Sequence, residues 1–592
     1  MSADTILHRL HRRAETSPDA VAYSHKQGEA WVPVTWRSYA AEVRRAASAL
    51  VGLGFEPGQV VCILGFNRHE WAVMDLGCML AGGAPAGIYE TSSASEAHYI
   101  LQHAAAPVVL VENAAQLAKI LEVRGRLPDL RHIVLMRGTD AGADPMVLTW
   151  EGFLAKGDGV DAARVDARLA GLTPDSLATL IYTSGTTGPP KGVMLSHHNL
   201  SWTANVAIEL VHIGADDHTL SYLPLAHIAE QMFTLHVPIS SGCQVWYAES
   251  VAKMPQNLPE VRPTVLFGVP RVWEKIYAKL GARLAEATGV KKFLVDFARG
   301  VGGRVHALKN RGEEPTGLLK IEYQVAHAVV FSKLHKALGL DRVKVMVSGA
   351  APIAAEVLEF FATLDLPIRE VYGQSEDSGP TTFNAPGRTR FGTVGPALPG
   401  VEVALAPDGE VRVRGPNVFM GYFKDPVATA QTMEDGWLCS GDLGSFDAEG
   451  FLTIVGRKKE ILITAGGKNV APVNIEAALK HIDGVGEAVV IGDRRKYLVA
   501  LLTLDPEAAV RLAAELGVAP AELGTNPTLL ARLQAGVEGV NREVSRVESV
   551  KRFAVLPAPF EVGDELTATM KIRRKRVVEK YAATIETLYV EG

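Results

Sequence analysis

At 592 residues the chain is too long for one hydrophobic core, so two or more domains are expected. Its composition, 47% hydrophobic and 21% charged, is that of an ordinary globular protein, and a net charge of -6 gives no reason to expect nucleic acid as a partner. Four scattered cysteines (Cys62, Cys78, Cys243, Cys439) form no CxxC pair, which argues against a zinc or disulfide framework and fits a reducing cytoplasm.

The first residues are polar, with Ile6, Leu7 and Leu10 at helical spacing and no apolar stretch of the signal-peptide kind. No run of about 18 apolar residues occurs, so no transmembrane helix is expected. Residues 31–136 then alternate between two periods. Thr35 caps a helix reaching about Leu53, and Gly54 stops it. Residues 60–65 read as a strand, 71–80 as a helix and 86–89 as extended chain. Ser92 or Ser93 opens the next helix, and 107–111 and 132–136 read as strands. Strand, helix, strand in sequence predicts parallel pairing with crossover helices.

Residues 177–182 form an apolar, strand-like run that leads into Tyr182-Thr183-Ser184-Gly185-Thr186-Thr187-Gly188-Pro189-Pro190-Lys191-Gly192. Such a loop offers free backbone N–H groups, hydroxyl donors and one cation, the parts needed to hold a polyphosphate. Glycine lets the backbone approach the anion closely, and the proline pair stiffens the loop ahead of Lys191. It is not the common nucleotide loop, which needs GxxxxGK followed by Ser or Thr. The stretch resembles the signature of the adenylate-forming enzymes: acyl-CoA synthetases, peptide-synthetase adenylation domains and beetle luciferases. That resemblance implies contacts to ATP from Thr183, Ser184, Gly185, Thr186, Thr187 and Gly188, with Lys191 catalytic and Thr183 also near Mg2+.

A helix is expected from about Asn199. His227 follows in Ser221-Tyr222-Leu223-Pro224-Leu225-Ala226-His227, just past a strand-like run. A lone histidine is commonly structural. Its place resembles the family's pocket-lining loop, which implies a catalytic position between acyl carbonyl and thiol. The segment 264–275 reads as buried strand, Gly/Pro turn and helix start. Its Val269-Pro270-Arg271-Val272-Trp273-Glu274-Lys275 is similar to the long-chain fatty acyl-CoA synthetases. The helical stretch 275–336 carries 12 Lys/Arg against 5 Asp/Glu. It reads either as a solvated face or as a patch for an anionic membrane surface through Lys291, Lys292, Arg299 and Arg304, peripheral to the inner face of the membrane.

Residues 343–347 read as a strand ending in Ser348-Gly349-Ala350-Ala351-Pro352. Small residues there leave room for a flat ring, and in open α/β sheets that end is where ligands bind. In the resembled family Gly349, Ala350 and Ala351 face adenine. The strand 367–371 runs into Tyr372-Gly373-Gln374-Ser375-Glu376. Tyr372 suits stacking on a purine, Ser375 can donate to phosphate, Glu376 is an oxygen ligand for Mg2+, and Gly373 is counted with the nucleotide-binding residues. The family usually has Thr where Ser375 stands.

From 400 to 451 the period changes to two, the sign of a small β unit. Asp442, placed at a strand end, is positioned to accept ribose hydroxyls. Gly456-Arg457-Lys458-Lys459-Glu460 reads as the domain boundary. By resemblance Arg457 contacts ribose and phosphate and Lys459 is the hinge. Thr464-Ala465-Gly466-Gly467-Lys468-Asn469-Val470 is a loop that relatives swing toward the active site. The remainder, with a helix at 475–481, strands at 485–492 and 497–504 and mostly helix over 506–547, reads as a smaller α/β domain. Thr567-Ala568-Thr569-Met570-Lys571-Ile572-Arg573-Arg574 resembles the catalytic-lysine segment, with Lys571 in that position.

The expected architecture is therefore α/β. A large N-terminal domain (1–456) combines parallel-sheet subdomains and a β unit, and a small mobile C-terminal α/β domain (457–592) carries Lys571. The implied activity is ATP- and Mg2+-dependent activation of a medium- to long-chain fatty acid, then transfer to coenzyme A. A fatty acyl-AMP ligase loading a carrier protein and a non-catalytic acyl or nucleotide sensor are the alternatives; intact Lys191, Glu376 and Lys571 speak against the sensor. Chain length and oligomeric state are not legible in the sequence.

Overall fold

The structure, a computed structural model, describes residues 4–183, 189–466, 468–567 and 570–590. Two eight-stranded sheets form its bulk. One runs, in spatial order, Gly421–Tyr422, Lys191–Ser196, Leu177–Thr183, Ala84–Ile88, Val60–Leu64, Val108–Val111, His132–Leu135 and Val147–Leu148. The six from Leu177–Thr183 onward are parallel, and the first two are antiparallel. The other sheet has six parallel strands, Ile368–Tyr372, Val345–Ser348, Val265–Gly268, His218–Ser221, Gln244–Tyr247 and Val21–Gln27, between two antiparallel edges. Parallel strands buried on both faces read as continuous apolar runs, and Val60–Leu64 and Val345–Ser348 are buried along their whole length.

Local chemistry sets the boundaries. Thr35 Oγ1 accepts from Ser38 N to start Trp36–Gly52, and Gly54 takes φ +79 just beyond its end. Ser93 and Glu96 form a reciprocal capping box on Ala94–Ala104. The helix expected from Asn199 begins two residues earlier, His197–Val211, because Ser196 caps it and Asn199 closes the box. The strand Lys191–Ser196 runs back antiparallel on Leu177–Thr183, with Thr183 opposite Lys191. Ser184, Gly185, Thr186, Thr187 and Gly188 lie outside the described residues.

A five-stranded antiparallel sheet follows. Asp442 lies inside its ten-residue strand Trp437–Phe446, not at a strand end as expected from sequence, and the register shifts between Leu443 and Gly444 beside it. The last part packs Val485–Ile491, Leu498–Leu504 and Val550–Val555 as a mixed three-stranded sheet with apolar clusters on its two faces. Among the described residues no helix is long and apolar enough to cross a membrane.

Candidate active site

One cavity of about 2130 Å³ opens where the parallel strands end, the place where open α/β sheets bind ligands. Thr183, Lys191, His227, Ala350, Ala351, Tyr372, Gly373, Ser375, Glu376, Asp442, Arg457, Lys459 and Lys571 all line it. Residues 388 positions apart in sequence therefore share one space.

The strand Ile368–Tyr372 delivers one wall. Tyr372 OH donates to Asp442 Oδ2 at 2.8 Å, and Gln374 Nε2 donates to the same oxygen at 2.7 Å and to Ser440 O at 2.8 Å. Arg457 Nε reaches Asp442 Oδ1 at 3.0 Å, across the strand pair that sets Asp442 opposite Arg457. Three donors thus fix one carboxylate that is only 4% exposed. The turn Ser375–Asp377 follows, the amide of the residue before it pinned by Asp377 Oδ1, which accepts from Gln374 N at 2.6 Å. Burial raises the Asp377 carboxyl well above its ordinary range.

Glu376 accepts from Tyr422 OH at 2.8 Å through Oε1. Its other oxygen has no hydrogen bond or ion pair among the described residues, and the side chain lines the cavity. A carboxylate with a free oxygen in a polar cleft fits a hard divalent cation. Lys191 Nζ lies 4.6 Å from the centre of the Tyr422 ring, a cation–π contact. Tyr422 is placed there because Gly421–Tyr422 pairs with Lys191–Ser196, Tyr422 opposite Val193.

The residues expected on the adenine side are not all placed alike. Ala350 and Ala351 line the cavity, and Ala350 sits at φ +69, an uncommon conformation for a residue with a Cβ. Gly349 is not among the lining residues; a Cβ there would meet Val371 Cγ1 at 2.6 Å, so close packing accounts for that glycine. Gly373 does line the cavity, and its Cβ would lie 1.7 Å from Gly379 O.

His227 caps the short helix Ile228–Gln231 through Nδ1, which accepts from Ala229 N at 3.1 Å and leaves Nε2 for a ligand. Burial, then the charge of Lys571, holds its pKa down at about 4, so the ring is neutral at ordinary pH. A polar hub supports this segment: Asn67 Nδ2 donates to Leu223 O, Ser221 Oγ and Glu230 Oε1, and Asn67 Oδ1 accepts from Leu225 N.

Lys571 comes from the opposite side. Its backbone is held by Thr567, whose Oγ1 accepts from Lys571 N at 3.0 Å and whose N donates to Lys571 O. Two residues on, Arg573 Nη2 donates to Glu96 Oε1 at 2.8 Å, joining the C-terminal part to the capping box of Ala94–Ala104. Protein crowding, then the charge of Arg457, lowers the Lys571 pKa. The side chain still reaches solvent at the cleft edge. Lys459 lies in the tight turn Lys458–Glu460 and is exposed, whereas Lys458 is tied to Asp408 and Glu410.

Tyr422 and Gln374 were not singled out from sequence. Gln374 sits inside a motif that was read for its neighbours. Tyr422 has no local signal beyond an aromatic after Gly421, since only strand pairing brings it to Lys191. Apolar residues, Leu210, Ile213, Phe233, Val237 and Phe267 among them, line the same cavity.

Residues 10–423 match the family described as AMP-binding enzyme, and 459–592 match the AMP-binding enzyme C-terminal domain. The chain is 38% identical over 97% of its length to the "Long-chain-fatty-acid--CoA ligase ACSBG2" of Xenopus laevis, covering 82% of that protein. It is 37% identical over 99% of its length to "Long-chain-fatty-acid--CoA ligase FadD15" of Mycobacterium bovis, covering 97% of it. Among solved structures, the adenylation domain of a carboxylate reductase from Mycobacterium chelonae superposes with a TM-score of 0.76 at 22% identity, covering 100% of this chain and 92% of that one. An anthranilate CoA ligase solved with anthranoyl-AMP gives 0.70 at 21% identity, covering 98% of each chain. At such identities these two likenesses speak to the fold.

Proposed function

Because the chain belongs to the AMP-binding enzyme family, we propose that it activates a medium- to long-chain fatty acid with ATP. The product would be an acyl-adenylate, with release of pyrophosphate, and the acyl group is then passed to coenzyme A. The observation that carries the reading is a cavity lined by both charged and apolar side chains, set in a chain whose near-full-length relatives are named long-chain-fatty-acid–CoA ligases.

The chemistry has two obstacles. A carboxylate is a poor electrophile, and it is repelled by the polyphosphate it must attack. Lys191, Arg457 and Lys571 supply positive charge around the α-phosphate and the leaving pyrophosphate, where it is worth most in a water-poor cleft. Thr183 and Glu376 would hold Mg2+, which when bound offsets charge on the phosphate oxygens. Ala350, Ala351 and Tyr372 would flank adenine, and Asp442, already oriented by Tyr372, Gln374 and Arg457, would take the ribose hydroxyls. The loop 184–188 would cover the phosphates. No enzyme nucleophile is needed: the fatty-acid carboxylate attacks in the first step and the coenzyme A thiolate in the second, with AMP leaving. His227, neutral and lining the same cavity, would orient the carbonyl as the thiol approaches.

The same carbonyl meets different groups in the two steps, so the part following about residue 456 would rotate about Lys459. The basic helical segment 275–336 would face an anionic membrane surface. The test is pyrophosphate exchange and thioester formation over acids from acetate to about C18. A broad optimum at medium to long chains is expected, since one methylene is worth about 1–3 kcal/mol at most. Faster turnover of acetate or benzoate than of palmitate contradicts the substrate. Exchange without thioester would make the chain an acyl-AMP ligase.

A further inference from the structure

The helices Gly289–Lys309 and Gly317–Ala326 form an antiparallel hairpin, with Arg304 Nη2 donating to Glu322 at 2.6 Å. Its inner face is well satisfied. Ala298, Val301, Val305, Ala326 and Phe331 form a dry cluster, and Tyr323 and His306 both hold Asp365. The outer face is the opposite of a normal surface helix. Leu318, Ile321, Val325 and Val329 recur at helical spacing and are 69%, 58%, 48% and 37% exposed. Val290 and Phe293, at the start of the first helix, are exposed by 74% and 70%. Antiparallel register carries that start toward the far end of the second helix, so these six residues run along one side of the hairpin. Scattered exposed apolar residues need no explanation, but a continuous stripe does.

The charges beside it narrow the occupant. Lys291, Lys320, Lys333 and Lys336 are exposed and enter no ion pair among the described residues. Three residues expected from sequence to serve are engaged elsewhere: Lys292 pairs with Asp296 at 3.1 Å, Arg299 donates to Thr363 and lies over Phe360, and Arg304 is bound to Glu322. A second copy of this chain docking face to face would set lysines against lysines. An anionic bilayer complements both features, since aliphatic and aromatic side chains enter the acyl boundary while lysines reach headgroup phosphates.

We propose that the outer face of this hairpin, Val290, Phe293, Leu318, Ile321, Val325 and Val329 with Lys291, Lys320 and Lys333, is the surface by which the protein binds anionic lipid bilayers. The inference rests on the reading of segment 275–336 as membrane-facing and moves its main attraction from the arginines to the apolar stripe.

The experiment is co-sedimentation of the full chain with vesicles of phosphatidylglycerol and phosphatidylcholine, and of phosphatidylcholine alone, at low and high salt. Wild type binds the anionic vesicles. Leu318→Ser/Ile321→Ser/Val325→Ser loses at least tenfold in partitioning, while keeping its thermal midpoint and its turnover of a dispersed acid. Lys291→Glu/Lys320→Glu/Lys333→Glu loses the preference for anionic lipid. Equal binding by the serine variant and wild type overturns the assignment of this face. Absence of wild-type binding at low salt overturns the membrane reading itself, as does a solution dimer that the serine variant converts to monomer without any vesicle binding. Thioester assays on the same samples report separately on the enzymatic reading.

Discussion

The two sides of the cleft are built on different principles. The Tyr372–Glu376 wall grows out of a buried parallel strand, and each polar group in it is held by another: Asp442 by Tyr372, Gln374 and Arg457, and Glu376 by Tyr422. The Lys571 arm is an irregular segment. It is braced locally by Thr567 and reaches the large domain through Arg573 and Glu96. A wall fixed by convergent hydrogen bonds suits binding that is the same in both steps. An arm held by a partly exposed ion pair would suit a group that must arrive and leave.

The comparison is broken most severely by removing the arm's charge. Lys571→Ala should slow acid-dependent pyrophosphate exchange by about 10²–10³, as loss of a preorganised charge donor does. Thioester formation from pre-made acyl-AMP should change far less, and equal loss in both assays would contradict the division. On the wall, Tyr422→Phe removes a hydrogen bond to a carboxylate, worth about 1.5–3 kcal/mol at most. Exchange should fall by about tenfold or more, with a weaker apparent affinity for Mg2+; unchanged Mg2+ dependence would remove Tyr422 from the site.

Titration sharpens the same contrast. In the proposed mechanism Lys571 acts as a cation, and its pKa is lowered by crowding and by Arg457. Its useful form is therefore lost at a lower pH than for a free lysine, and exchange should decline early on the alkaline side. Lys571→Arg, always charged, should move that limb upward, and a pH profile that does not shift would assign the limb to another group. His227, with a pKa near 4, should add no inflection between pH 6 and 8. The smallest effect belongs to the brace. Glu96→Ala removes a partly exposed ion pair worth about 0.2–1 kcal/mol, so exchange should slow by roughly 1.5–5-fold, less at high salt. An effect of salt-independent size would point instead to loss of the capping box.

What could be read from sequence follows the same divide. Thr35, Gly54 and the run 177–182 announce their elements because caps and apolar strands are local properties. The motif around Glu376 and the lysine at 571 were legible because several residue types stand together in order. Contacts made by pairing were not. Tyr422 reaches Lys191 only through an antiparallel edge strand, and Lys191–Ser196 itself was hidden between the Gly/Thr loop and a helix cap. Asp442 was expected at a strand end, yet the strand continues past it to Phe446. The close packing of Gly349 against Val371 leaves no mark in the local sequence either. Arg573 and Glu96 are 477 positions apart, and only the folded chain joins them.

The central claim is that one mobile arm serves a fixed wall in two orientations, and Lys459→Pro tests it most directly. Proline fixes φ and removes the N–H at the tight turn Lys458–Glu460. With both half-reactions measured on the purified variant, pyrophosphate exchange should stay near the wild-type rate while thioester formation from pre-made acyl-AMP is blocked. Loss of exchange together with thioester formation, or retention of both, would contradict a hinge at this position.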